Sequence, residues 1–279
     1  MSRAPVVRLG IRVRADRAEI ALARLLPILH AGAEEREVDG DVEYALYAPA
    51  GELPRLAEIR ALAGDALVDV TSEPVEPGWE RRWHEFLRPV EVGPLVIRPP
   101  WVEGSPDDLV IDPGVFFGAG THPTTRLCLQ LLLEVQPGGP LCDWGAGTGV
   151  LAIAAARLGF EPVTAVEVEP GALEQISVNA GANGVAVLTR WLNLGATPAP
   201  WAPTVTANLT RELLLAAAEV IERPPKRMLA SGMLREEVDE VVAAYGPLGL
   251  REVGRREEGE WAAAALEATG WAGDGRGAA

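Results

Sequence analysis

Between residues 6 and 14, apolar and polar positions alternate one by one. Val7, Leu9, Ile11 and Val13 lie on one side and Arg8, Gly10, Arg12 and Arg14 on the other. A period of two is that of a strand with one buried face. From Glu19 to His30 the period lengthens: Ile20, Leu22, Leu25, Leu26 and Leu29 recur at helical spacing ahead of Gly32, which predicts an amphipathic helix. Val42, Tyr44 and Leu46 alternate as a second strand; Leu53, Leu56, Ile59 and Leu62 predict a second helix, and Leu67 to Val70 a third strand. The order β-α-β-α-β predicts a small α+β domain of ferredoxin-like type over residues 1–75.

A Pro-rich boundary, Glu73-Pro74-Val75-Glu76-Pro77-Gly78, opens an expected linker over 76–101, with a hinge near Pro74 to Gly78. Inside it Trp79, Trp83 and Phe86 fall at spacings that share a helix face, read as packing between domains. From residue 102 to 270 short apolar strands alternate with helices. Helices are predicted near 122–134, 149–158, 170–182, 210–222 and 234–245, and strands near 140–144, 163–168, 203–208 and 227–232. Strands near 249–257 and 260–268 flank Glu258-Gly259 as a closing antiparallel hairpin. This series predicts an α/β fold with a doubly wound, mostly parallel sheet. The Gly/Ala-rich tail, 271–279, is expected to be disordered.

Composition narrows the chemistry. No run of eighteen or more uncharged apolar residues occurs, so no membrane span is expected, and the start of the chain lacks a signal-peptide core. Cys128 and Cys142, both in apolar segments, read as buried thiols of a reducing, cytoplasmic compartment. The formal net charge of −15 argues against a direct nucleic-acid role and favours a basic protein partner. No metal site is expected from the spacing of His, Cys and Asp.

The strongest local signal is Leu141-Cys142-Asp143-Trp144-Gly145-Ala146-Gly147-Thr148-Gly149-Val150, a strand running through a glycine-rich turn into an Ala-rich helix. A dinucleotide fingerprint wants Gly at its first, third and sixth positions; here the third glycine is the fifth residue, Gly149, and the sixth is Val150. Glu167 ends the next apolar strand, 22 residues after Gly145, where a carboxylate can accept hydrogen bonds from both hydroxyls of a ribose. Glu169, just before Pro170, reads as a charge at a helix N-terminus. Asn208 ends a further strand and fits either a ligand contact or the shaping of the next turn. His122, beside Pro123, reads as a loop or capping residue sooner than as a base, and His30 and His84 as surface or interface residues.

The glycine motif, the string Asp112-Pro113-Gly114-Val115-Phe116-Phe117-Gly118-Ala119-Gly120-Thr121-His122-Pro123-Thr124-Thr125 and the segment Thr204 to Thr210 together resemble the methyltransferases of ribosomal protein L-eleven, the PrmA family. The likeness is strong from Trp79 to Gly184, fair to about residue 268 and architectural before that. It implies a class I, Rossmann-like domain that binds S-adenosylmethionine and an N-terminal domain that recognises a large-subunit ribosomal protein, in a monomer. By motif position the cofactor contacts would be Thr125, Gly145, Glu167 and Asn208. Gly147 and Asp143 would lie near the methionine portion, and Asn208 would also position the amine. Ala146 and Glu167 stand where that family usually has Cys or Thr and Asp, and Leu209-Thr210 departs from its Ile-Leu. Enzymes that methylate bases or glutamine amides usually carry Asn-Pro-Pro-aromatic at the place of Asn208-Leu209-Thr210. No acidic side chain near Trp191 to Gly195 is available for an adenine amino group, which leaves backbone groups for that contact.

Overall fold

The computed structural model describes residues 6–25, 28–29, 34–49, 51, 53–75, 88–114 and 116–270. Its contacts divide the chain into two compact units, Met1–Leu87 with Val115–Phe117, and Arg88–Gly114 with Gly118–Ala279.

In the first unit β1 (Val6–Val13), α1 (Ala18–Leu25), β2 (Glu34–Val38), β3 (Asp41–Pro49), α2 (Leu56–Ala63) and β4 (Leu67–Pro74) build a four-stranded sheet of order β2-β3-β1-β4. Every pairing in it is antiparallel. This is the βαββαβ arrangement of a ferredoxin-like sandwich. The alternation of β1 works as its sequence dictates: Leu9, Ile11 and Val13 are buried, as are Leu25 of α1 and Ile59 of α2. The hydroxyl of Tyr44 donates to Ala18 O at 3.0 Å and fastens β3 to α1.

One strand more is present than the apolar pattern predicts. Strand β2, Glu-Glu-Arg-Glu-Val, lies at a sheet edge and carries charges there, so it shows no alternation to read. It pairs with β3 through Asp39 and Gly40, both at positive φ, the turn that two-residue hairpins favour.

In the second unit β5 (Val90–Val92), β6 (Leu95–Arg98) and β7 (Leu109–Val110) form a small sheet, so the expected linker is folded from residue 88 onward. Trp79, Trp83, Phe86, His30, His84, Pro77, Gly78 and the tail 271–279 lie outside the described residues.

The main sheet comprises β8 (Leu141–Trp144), β9 (Val163–Glu167), β10 (Leu188–Trp191), β11 (Thr204–Asn208), β12 (Arg227–Leu234), β13 (Leu250–Glu258) and β14 (Trp261–Ala268), in the order β10-β9-β8-β11-β12-β14-β13. The first five are parallel and β14 is antiparallel to both neighbours. Helix α3 (Pro123–Leu133) precedes β8, and α4 (Val150–Leu158), α5 (Pro170–Ala182), α6 (Arg211–Val220) and α7 (Val238–Tyr245) make the crossovers; together they cover the sheet. Successive connections run outward from β8 in one direction and then from β11 in the other. The strand order therefore reverses between β8 and β11, the point at which open α/β sheets hold ligands beyond their carboxyl ends. Strand β10 was not predicted: it is four residues long, at an edge, with Leu188 and Trp191 exposed.

Candidate functional site

The turn after β8 is shaped by its glycines. Gly145, Gly147 and Gly149 have φ of 66°, 53° and 82°, a region that side chains with a Cβ disfavour. A methyl added to Gly145 would overlap Leu209 Cδ2, so any larger residue there must displace the Leu209 side chain as well as adopt a positive φ. Gly145 N and Ala146 N both donate to Val166 O, at 2.9 and 3.1 Å, which ties the turn to β9.

Behind the turn lies Asp143, fully buried. Its Oδ1 accepts from the Thr206 hydroxyl at 2.7 Å and its Oδ2 from Ala152 N at 3.2 Å. Burial pushes its carboxyl up to about 7; the two hydrogen bonds oppose that rise and the charge of Glu167 adds to it. Asp143 therefore joins β8 to β11 and caps the first turn of α4. The sequence places it near the methionine portion of a ligand; in the structure both of its oxygens are engaged by protein donors.

At the end of β9 the half-buried Glu167 spans the next gap. Its Oε2 accepts from Gly147 N at 2.9 Å, and its Oε1 from Val168 N at 2.7 Å and Glu169 N at 3.3 Å. A carboxylate has about four lone-pair directions, so it keeps acceptor capacity for a ligand. Glu169, an exposed charge, takes the N-cap position of α5 without a side-chain cap bond.

Across the switch point, Asn208 Nδ2 donates to Thr125 Oγ1 at 3.3 Å. Thr125 is fully buried in α3 and Asn208 is half-buried at the end of β11. Helix α3 starts at His122, whose ring Nδ1 accepts from Thr124 N at 3.3 Å, the capping role. Burial, aided by the Arg126 charge, lowers His122 to about 4, so its imidazole is neutral at physiological pH. Its ring meets Trp261 edge to face at 4.8 Å.

Of the residues singled out from sequence, Gly145, Gly147 and Glu167 form one cluster at the ends of β8 and β9, and Thr125 of α3 and Asn208 at the end of β11 form a second. The donor set suits a nucleoside. Three positive-φ glycines leave those positions of the turn without side chains, one carboxylate is held by neutral N–H groups at the end of β9, and an amide ends β11 on the other side of β8. Sequence reading missed Thr206, Thr148, Asn179 and Asn183, all buried and all bonded into this frame. The signal for the two asparagines was available: residues 172, 176, 179, 180 and 183 share one face of α5. Two Asn on an otherwise apolar, buried face require partners.

Residues 46–269 match the family model described as "Ribosomal protein L11 methyltransferase (PrmA)". A "Ribosomal protein L11 methyltransferase" of Pelotomaculum thermopropionicum is 38% identical over 250 residues, 83% of this chain and 81% of that one. One of Dechloromonas aromatica is 39% identical over 230 residues, 78% of this chain and 74% of that one. In fold, the chain is similar to the crystal structure of a ribosomal protein L11 methylase from Lactobacillus delbrueckii subsp. bulgaricus. That likeness has a TM-score of 0.58 at 24% identity and covers 64% of this chain and 98% of that one. The chain belongs to the ribosomal protein L11 methyltransferase family, and its main sheet is that of a class I methyltransferase.

Proposed function

We propose that the chain transfers methyl groups from S-adenosylmethionine to amines, Lys side chains or an N-terminal α-amine, of a large-subunit ribosomal protein, the L11 of its relatives' names. It would act in the cytoplasm as a monomer, with the first unit recognising the substrate. The observation that carries the cofactor reading is the Gly147–Glu167 hydrogen bond at the carboxyl edge of β8 and β9, together with the Asn208–Thr125 hydrogen bond at the end of β11.

When bound, the sulfonium supplies an electrophilic methyl and leaves as a neutral thioether. The protein's work is positioning. Oε2 of Glu167 would accept from a ribose hydroxyl with its spare lone pair while Gly147 N fixes its orientation, and Gly145 would let the backbone approach the ligand. With Nδ2 of Asn208 committed to Thr125, its Oδ1 accepts an N–H of the incoming amine and turns the lone pair toward the methyl. A Lys amine, with an ordinary pKa near 10.4, is neutral about once in a thousand molecules at pH 7.4, so the site must favour the unprotonated form by desolvation. Incubation with labelled S-adenosylmethionine and total ribosomal proteins tests the reading. Label is expected on amines of one large-subunit protein. Label on RNA, or none at all, would overturn it.

A further inference from the structure

Asn179 of helix α5 and Asn183, its C-cap, are buried one turn apart, 1% and 7% exposed, and no step above uses them. Both grip the backbone of the segment that leads toward α3. Asn183 Oδ1 accepts from Val110 N at 2.9 Å and its Nδ2 donates to Val110 O at 2.7 Å. Asn179 repeats the clasp two residues on: Oδ1 accepts from Asp112 N at 3.0 Å and Nδ2 donates to Asp112 O at 2.9 Å. Each amide thus stands in for the edge of a neighbouring strand.

The two differ in where the second amide proton goes, and Asn179 Oδ1 also accepts from Gln175 Nε2 at 3.3 Å. The second proton of Asn183 Nδ2 goes to Asn179 O, within their own helix, at 2.8 Å. The second proton of Asn179 Nδ2 goes to Thr148 O in the glycine turn, at 2.9 Å. Thr148 is fully buried, and its hydroxyl donates to Gly118 O at 2.8 Å, joining the turn to the same segment farther along. A carbonyl in the last residue before the Gly149 cap has little choice of partner inside the fold, and its loss of one leaves a buried acceptor unsatisfied.

We propose that Asn179 is a positioning residue for the methyl-donor site: one amide nitrogen locks the backbone at Asp112 to the glycine turn at Thr148, and so holds the turn in the shape that receives the cofactor. The inference rests on the cofactor reading above. Asn183 provides the internal control, because it clasps the segment as firmly without touching the turn.

The test is to titrate S-adenosylhomocysteine into the full chain and its Asn179→Ala and Asn183→Ala variants by calorimetry, with melting curves and methyl-transfer kinetics alongside. Both variants are expected to lose similar thermal stability. Only Asn179→Ala should weaken binding, about tenfold, with a matching rise in KM for the methyl donor and kcat within about twofold. If Asn179→Ala fails to fold, Asn179→Ser, too short to span both carbonyls, takes its place with the same expectation. Equal affinity in the Asn179 and Asn183 variants would overturn the assignment while leaving the cofactor reading intact. Failure of the unaltered chain to bind would remove both.

Discussion

Glu43 in the four-stranded sheet is buried and Glu167 at the carboxyl end of β9 is half-buried, and they are held in different ways. Glu43, 5% exposed, bonds to the guanidiniums of Arg8 and, at 2.7 Å, of Arg36. Burial pushes its carboxyl up, but the two arginines outweigh that and hold it below the usual range. Glu167 accepts from three backbone N–H groups. A carboxylate neutralised by fixed cations is complete within the fold. One oriented by neutral N–H donors is left without a neutralising cation among those partners, and its remaining lone pair can serve a ligand. The same contrast separates structural polarity in the first unit from receptive polarity in the second.

The sharpest way to break this contrast is Glu167→Ala. Losing the charge-assisted hydrogen bond that the spare lone pair of Glu167 Oε2 offers a ribose hydroxyl should cost about thirtyfold in S-adenosylhomocysteine affinity by calorimetry, with a modest change in melting temperature. Asn208→Ala should lower turnover at saturating cofactor by at least about tenfold, since the amine loses its orienting acceptor; undiminished turnover would refute that role. Gly145→Ala places a Cβ at φ 66° and against Leu209, and should weaken cofactor binding by about tenfold.

Asp143 gives a pH test. Its carboxyl is raised by burial to about 7, so the folded chain holds a proton that the unfolded chain releases near 4. The stability contributed by the protonated form is complete below about 4 and is lost as pH rises to about 7. Asp143→Asn should flatten that part of the profile in denaturant titrations; an unchanged slope would contradict the assignment. Glu43→Gln should produce the smallest effect on the site: a lower melting temperature for the first unit and cofactor affinity within about twofold of the unaltered chain. A large loss of affinity would erase the distinction between the two carboxylates.

What the sequence made legible follows from where the physics is local. The parallel core could be read because β8, β9 and β11 are short apolar runs and the helices between them have clear stops, such as Gly159 at the end of α4. The glycine turn and Glu167 were legible because their spacing belongs to a single β-α-β unit. Strands β2 and β10 escaped because edge strands here carry charges or exposed apolar residues in no regular alternation. Strands β5 to β7 owe their form to pairing with each other and to the second unit, not to their own pattern. Asn179 meets Asp112 across 67 residues and Thr148 across 31, distances at which no local pattern speaks. For Asp143 the residue was found but its surroundings were not. Only the fold shows Thr206 and Ala152 occupying both of its oxygens.

The central claim is that the turn at Gly145–Gly149 and the carboxylate of Glu167 together receive a sulfonium nucleoside. Titrating the purified chain with S-adenosylmethionine and, separately, with a nicotinamide dinucleotide addresses it most directly. Saturable heat with the first and none with the second is the predicted result. No uptake of the first, or displacement of it by the second, would contradict the account.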